Sequence, residues 1–352
     1  MTTMTAEPGL VTVGVDTHGD VHALAVLDAL GRVRGRTVVA STPAGHARAL
    51  RWVSAQGAVD AVGVEGTGSY GAQLARDLRS AGHRIVEVNR PDRADRRRRG
   101  KDDPLDAEAA ARAVLAGTAT GAPKTRDGLV ESIRALRVAR RAVVRDRTAA
   151  INQLRALVLT ATPAVREPLR SVSAVALVRH AARLRPGADL ADPVTATKYA
   201  LRAIARRHDF LTDQLRDLDR ILAPLVTAAA PSLVALFAVG VDTAGALLVA
   251  AGDNPDRLHS EAAFAHLCGV APLPASSGKT RRHRLNRGGD RRANNALWRI
   301  ALVRMGRDQR TRDYVARRTA EGLSKPEIMR CLKRYIAREI YAALRAPTLD
   351  GL

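Results

Sequence analysis

Four acids and a pair of serines carry the chemistry open to this sequence. Asp103 and Asp106 stand three residues apart in Gly100-Lys101-Asp102-Asp103-Pro104-Leu105-Asp106-Ala107. With Pro104 in the first helical position, Asp103 reads as the N-cap and Asp106 as a residue one turn in, so both acids share one side of a helix. Acids there also answer the helix macrodipole, and this segment alone asks for nothing more than capping. Asp16 and Glu65 change the reading, because each closes a short β-branched run and could join the pair. Four gathered carboxylates repel one another unless a cation sits among them; a hard divalent ion with oxygen ligands, Mg²⁺, is the usual solution and suits phosphodiester chemistry. The serines lie in Ala275-Ser276-Ser277-Gly278-Lys279-Thr280-Arg281-Arg282-His283-Arg284. Ser-Gly pairs are common in loops, and such a pair is a weak nucleophile signal. A hydroxyl among guanidiniums nevertheless has what attack on a phosphodiester needs, since the cations stabilise charge on the phosphoryl oxygens.

The elements that must position these residues follow from periodicity. Leu10 to Val15 alternates and ends at Asp16; His22–Leu27 and Arg32–Ala40 flank a turn at Asp28-Ala29-Leu30-Gly31 and make a three-stranded antiparallel set. Thr42-Pro43 opens a helix to about Gln56, Ala61–Val64 is a strand that delivers Glu65, a helix follows to Ala81, and Ile85–Val88 is a fifth strand. The order βββαβαβα, with acids after the first and fourth strands and on the last helix, is that of an RNase H-like domain. Sites in such sheets form where loops converge at strand ends. Leu129–Val158 and a second segment carrying Leu201, Ile204, Leu211, Leu215 and Leu222 have helical periodicity and predict an antiparallel hairpin, the first arm about 45 Å long. Phe237–Leu248 reads as a helix-hairpin-helix element, with Asp242 where a second glycine would meet phosphate. Arg291–Arg307 and Pro326–Arg345 read as closing helices.

Charge identifies the kind of partner. Of 352 residues 57 are Lys or Arg and 35 Asp or Glu, a formal net charge of +22 that calls for a polyanion, most commonly nucleic acid. Arg96, Arg97, Arg98 and Arg99 precede the acidic pair directly, and Lys279, Arg281, Arg282, Arg284 and Arg287 follow the serines; both runs are placed to track a phosphate backbone. Cys268 and Cys331 have no metal spacing and predict reduced thiols in a cytoplasm-like compartment. Neither a signal peptide nor a membrane span is expected.

Taken together, Val-Gly-Val-Asp16, Val-Glu65-Gly-Thr-Gly-Ser-Tyr70, Lys101-Asp-Asp103-Pro-Leu-Asp106-Ala and Gly269-Val-Ala-Pro272 leading to Ser276-Ser277-Gly278 resemble the DEDD-type insertion-sequence transposases. These form insertion-sequence family one-hundred-and-ten, which includes the Piv invertases. The resemblance implies a RuvC-like DEDD domain at 1–120, a helical connector or coiled-coil arm at 121–228, and a mainly helical transposase domain at 229–352. It implies that Asp16, Glu65, Asp103 and Asp106 hold Mg²⁺ and that Ser277 is the nucleophile, with Ser276 as the adjacent alternative. Asp102, beside Asp103, is a departure from the family pattern. Donor and target DNA, a structured guide RNA, a homo-oligomer of two or four subunits and a bacterial, nucleoid-associated location are further implications. Two other readings compete. A sugar kinase would share Val-Gly-Val-Asp16-Thr-His, but it needs a second glycine-rich phosphate loop and gives no reason for the charge. A hydrolytic nuclease, junction resolvase or binding protein would use the basic surface without serine chemistry.

Overall fold

The computed structural model describes residues 9–88, 102–278 and 283–346. The chain divides into two compact units, Met1–Thr125 and Arg126–Leu352.

In the first unit the order is β1 (Val11–Thr17), β2 (Val21–Leu27), β3 (Val33–Ala40), α1 (Pro43–Ser54), β4 (Val59–Glu65), α2 (Ala72–Ser80), β5 (Ile85–Val88) and α3 (Asp103–Leu115). The sheet runs β3-β2-β1-β4-β5, with β1, β2 and β3 antiparallel and β1, β4 and β5 parallel. Local chemistry makes the early turns. Asp28 Oδ1 accepts from the amides of Leu30 and Arg32 at the hairpin, and the Thr42 side chain accepts from the Gly45 amide to cap α1. The two faces of the sheet differ in bulk. Val13, Val15, Leu24, Val26 and Val64 face Val53, Leu74 and Leu78 of α1 and α2. The other face is built from Gly14, Ala23, Ala25, Ala61 and Gly63, and the alanine-rich α3 lies close against it.

One detail differs from expectation. Asp102, in extended backbone, is the N-cap of α3, because its carbonyl accepts the amides of Leu105 and Asp106; Asp103 is already helical. The cap is therefore one residue earlier than the proline suggested, and Asp103 is relieved of capping.

The second unit contains α4 (Leu129–Thr160), α5 (Ala174–Ala182), α6 (Pro193–Ala229), α7 (Val241–Ala251), α8 (Glu261–Leu267), the short strands β6 (Leu273–Pro274) and β7 (His283–Arg284), α9 (Arg291–Arg307), α10 (Gln309–Ala320) and α11 (Lys325–Arg345). Helices α4 and α6 pack antiparallel: Leu154 meets Leu201 and Ala205 at one end, and Ile133 meets Leu222 and Val226 at the other. At that second end the pair merges with a core of Leu247, Phe264, Leu297, Ile300, Ile336 and Ile340. The segments 121–228 and 229–352 thus share apolar packing. Helix α10 has no counterpart in the sequence reading; Thr311 is its one buried residue, and it is held at its start by Asp308, which caps the Thr311 amide. Among the described residues no helix is long and apolar enough to cross a membrane.

Candidate active site

Asp16 and Glu65 are brought together by strand register. Val15 pairs with Val64 in the parallel β1–β4 ladder, so each acid follows a matched residue at the same end of the sheet. The Thr17 hydroxyl donates to the Glu65 carbonyl at 2.8 Å and ties the two strand ends. Gly66 follows at φ +75°, where a β-carbon would be strained and would lie 2.7 Å from Thr17 Oγ1, so this turn favours glycine.

The approach of α3 depends on two further glycines. Side chains two apart share a face of a strand, so Gly14 marks the face of Asp16 and Gly63 that of Glu65. A β-carbon on Gly14 would collide with the Ala107 carbonyl and the Ala111 amide, and one on Gly63 would lie 2.7 Å from Val114 Cγ2. The repeated pattern Val-Gly-Val-acid, at Val13–Asp16 and Val62–Glu65, therefore encodes both the acids and the space for the helix that carries Asp103 and Asp106.

The tightest cluster includes a residue the sequence reading missed. His18 Nε2 lies 3.0 Å from Asp16 Oδ2 and 3.2 Å from Asp103 Oδ1. Ligand atoms of Asp16, His18 and Asp103 all fall within 4.8 Å of one another. Its signal was available: a histidine two residues beyond an acid at a strand end. Asp106 and Glu65 are outside this closest set. Asp106 is 7% exposed, on the turn after Asp103, and Glu65 is half-buried. Burial raises the Asp16 carboxyl above its ordinary 3.8; the neighbouring His18 lowers it, and the charges of Asp106 and Asp103 raise it again. The two carboxylates of α3 are thus within electrostatic reach of Asp16, and the donor set of carboxylate oxygens and one imidazole fits a divalent cation.

In the second unit, β6 pairs with β7 through Leu273 with Arg284 and Pro274 with His283. Ser276 and Ser277 sit on the exposed loop between them, before Gly278 at φ +54°. Asp290 pins the outgoing limb, since its amide donates to the Leu267 carbonyl at 2.6 Å. Arg284 and Arg287 are exposed here; Lys279, Arg281 and Arg282, like Arg96, Arg97, Arg98 and Arg99, lie outside the described residues. Asp242 is not open for phosphate contact. Its carboxylate accepts from Arg137 at 2.8 Å, Arg140 at 3.2 Å and Arg299 at 2.5 Å.

Comparison with known proteins covers both stretches. Residues 13–163 match a family model described as Transposase, of the DEDD IS110 type, and residues 232–316 match one described as Transposase IS116/IS110/IS902 family. The chain belongs to the IS110 family of transposases. It is also 32% identical over 139 residues to the insertion element IS110 uncharacterized 43.6 kDa protein of Streptomyces coelicolor, a match covering 39% of this chain and 34% of that relative. The match thus spans about a third of the relative's length. Asp16, Glu65, Asp103 and Asp106 fall within the first family match, and both serines and their basic flank fall within the second.

Proposed function

We propose that this chain recombines DNA for an insertion sequence, cutting and rejoining donor and target DNA through Ser277 under the direction of a structured RNA, as an oligomer of two or four subunits. The observation that carries the reading is the placement of Asp16 and Glu65 at adjacent strand ends on the glycine-lined face that receives Asp103 and Asp106. An RNase H-like arrangement accounts for the strand order β3-β2-β1-β4-β5 with α3 on one face. Family membership supports DNA as substrate, and the net charge of +22 supports polyanions in general.

Asp16, Glu65, Asp103 and Asp106 would hold Mg²⁺, whose charge polarises a phosphate and eases loss of a hydroxyl proton. His18, with Nε2 at 3.0 Å from Asp16 and 3.2 Å from Asp103, bridges the two carboxylates and orients them. Ser277 Oγ attacks phosphorus: the Oγ–P bond forms, one P–O bond to deoxyribose breaks, the serine proton leaves and the departing oxygen takes one up. The ester conserves the phosphodiester energy for rejoining, which hydrolysis would discard.

The test combines the protein, RNA from the element's own end and labelled DNA, followed by denaturation in detergent. A protease-sensitive protein–DNA band is expected, lost in Ser277→Ala and kept in Ser276→Ala; the reverse moves the nucleophile by one residue. Recombination restored by mixing Ser277→Ala with Asp103→Ala protein would support sites shared across subunits. A second reading, a hydrolytic nuclease or resolvase, is favoured by all four acids belonging to one compact unit. It gives cut ends with no adduct.

A further inference from the structure

A cleft of about 870 Å³ opens beneath the serine hairpin in the second unit. Both limbs of the hairpin line it, Gly269–Pro272 on the way in and His283–Asn286 on the way out, and α11 forms the opposite wall. Lys333 on that wall is 8% exposed. Its ammonium donates to Asn294 Oδ1 at 3.0 Å, and Asn294 Nδ2 in turn donates to the carbonyls of Cys268 at 2.9 Å and Gly269 at 3.1 Å. The amide is oriented by its two carbonyl acceptors, so the lysine meets a neutral oxygen and not a carboxylate.

Cations exceed anions around it. Arg284, Arg330 and Arg338 also line the cleft, and Glu327 is the one carboxylate among the described lining residues. Glu327 accepts from the amide and hydroxyl of Ser324, closing the capping box of α11, and its other oxygen lies 3.8 Å from Arg330, a long, exposed pairing that offsets little of that charge. Arg318 and Arg334 are held by Glu321 and Glu261, which leaves those two guanidiniums largely neutralised; Arg338 also lies 3.8 Å from Glu261, but that carboxylate is already taken up by Arg334. Burying an ammonium without a carboxylate is costly unless an anion arrives to meet it. Burial, and then the nearby Arg330, keep the Lys333 amine below its usual range, consistent with a missing counter-charge. At the rim, Tyr335 is 51% exposed and stands edge-on to Tyr314 at 5.7 Å, an aromatic surface on which a base can stack.

We propose that this cleft seats a backbone phosphate of a nucleic-acid strand, with Lys333 as the cation at its floor and Arg330, Arg338 and Tyr335 along the strand's path. The inference rests on the reading of the chain as acting on nucleic acid, but not on serine chemistry. The position of the cleft, walled by both limbs of the hairpin, directs the held strand past the loop that carries Ser277. Lys333 lies beyond the family match at 232–316, as do Arg330 and Arg338.

The experiment measures binding of a short labelled single-stranded DNA oligonucleotide to the full chain by fluorescence anisotropy across a salt series. Lys333→Met is expected to weaken binding about tenfold and to lower the salt slope by about one counterion, the effect of losing one phosphate contact. Lys333→Arg should retain most of the affinity, and the Lys333→Met defect should vanish for a methylphosphonate backbone, which carries no charge. Arg330→Met, on a partly exposed site outside the apolar core, should weaken binding too and keeps the test sharp should Lys333→Met fail to fold. Unchanged affinity and slope in folded Lys333→Met, or in Arg330→Met, overturns the proposal while leaving the serine adduct assay unaffected. Competition by millimolar inorganic phosphate at constant ionic strength would assign the cleft to free phosphate and overturn the strand. If the wild-type chain bound no oligonucleotide, this proposal and the nucleic-acid reading would fail together.

Discussion

Asp16 and Asp242 occupy opposite electrostatic surroundings. Asp242 accepts hydrogen bonds from three guanidiniums, and although burial raises its carboxyl, Arg137 and Arg140 outweigh burial and hold it below the ordinary 3.8. Asp16, also buried, has His18 as its close partner and two more carboxylates in reach, and its carboxyl is held above 3.8. The protein meets a structural charge with its own cations. At the ends of β1 and β4 it gathers like charge instead, which lowers stability unless a cation comes from outside. That difference sets the structural acid apart from the one proposed to hold a metal more sharply than burial does, because Asp242, though half-buried, is matched by cations and Asp16 is not.

The contrast can be broken in several ways. The largest effect is expected for Asp16→Asn, which should reduce strand cleavage by about a thousandfold or more, ~4 kcal/mol on the barrier, while the protein stays folded. Cleavage at the wild-type rate, or wild-type activity in EDTA, would place the chemistry elsewhere. Gly14→Ala should come next, since its β-carbon meets backbone and not a movable side chain: about 3 kcal/mol of stability lost in urea unfolding, with divalent-ion binding weakened as α3 is pushed from β1. Retained ion binding in that variant would mean that α3 need not lie close.

Asp242→Asn should cost about 2 to 3 kcal/mol, because Arg137 is left buried without its carboxylate, and divalent ions should not restore the loss. Its pH dependence has a definite sign. A depressed folded value gives stability that is present above 3.8 and lost as pH falls through the folded value, so the gap between wild type and Asp242→Asn should close in acid. The smallest effect has the opposite sign. Ionised Asp16 opposes folding at neutral pH, so Asp16→Asn should melt slightly higher than wild type in chelator. The advantage should disappear as pH falls below the raised folded value towards 3.8, and also on adding Mg²⁺. A lower melting temperature for Asp16→Asn in chelator would show that His18 neutralises the site by itself.

Much of the first unit was legible because its signals are local. Strand alternation, the Asp28–Gly31 turn and the Thr42-Pro43 cap act within a few residues, and all three appear where the sequence put them. The paired helices α4 and α6 were legible for the same reason, through apolar spacing sustained over many turns. Helix α10 was not, since it buries so little of its own surface that no apolar stripe marks it.

The sequence by itself determined that acids would end β1 and β4 and that two more would start a helix, because a strand's alternation and a helix's turn are set by neighbouring residues. Only tertiary structure decided which of them meet. His18 closing on Asp103, Asp242 claimed by Arg137 from 105 residues away, and Lys333 buried against Asn294 all depend on contacts between segments distant in the chain. Residue type and spacing cannot determine such contacts, because they follow from how whole faces pack. Here the smallest side chains made the decision: Gly14 and Gly63 leave the space in which α3 lies.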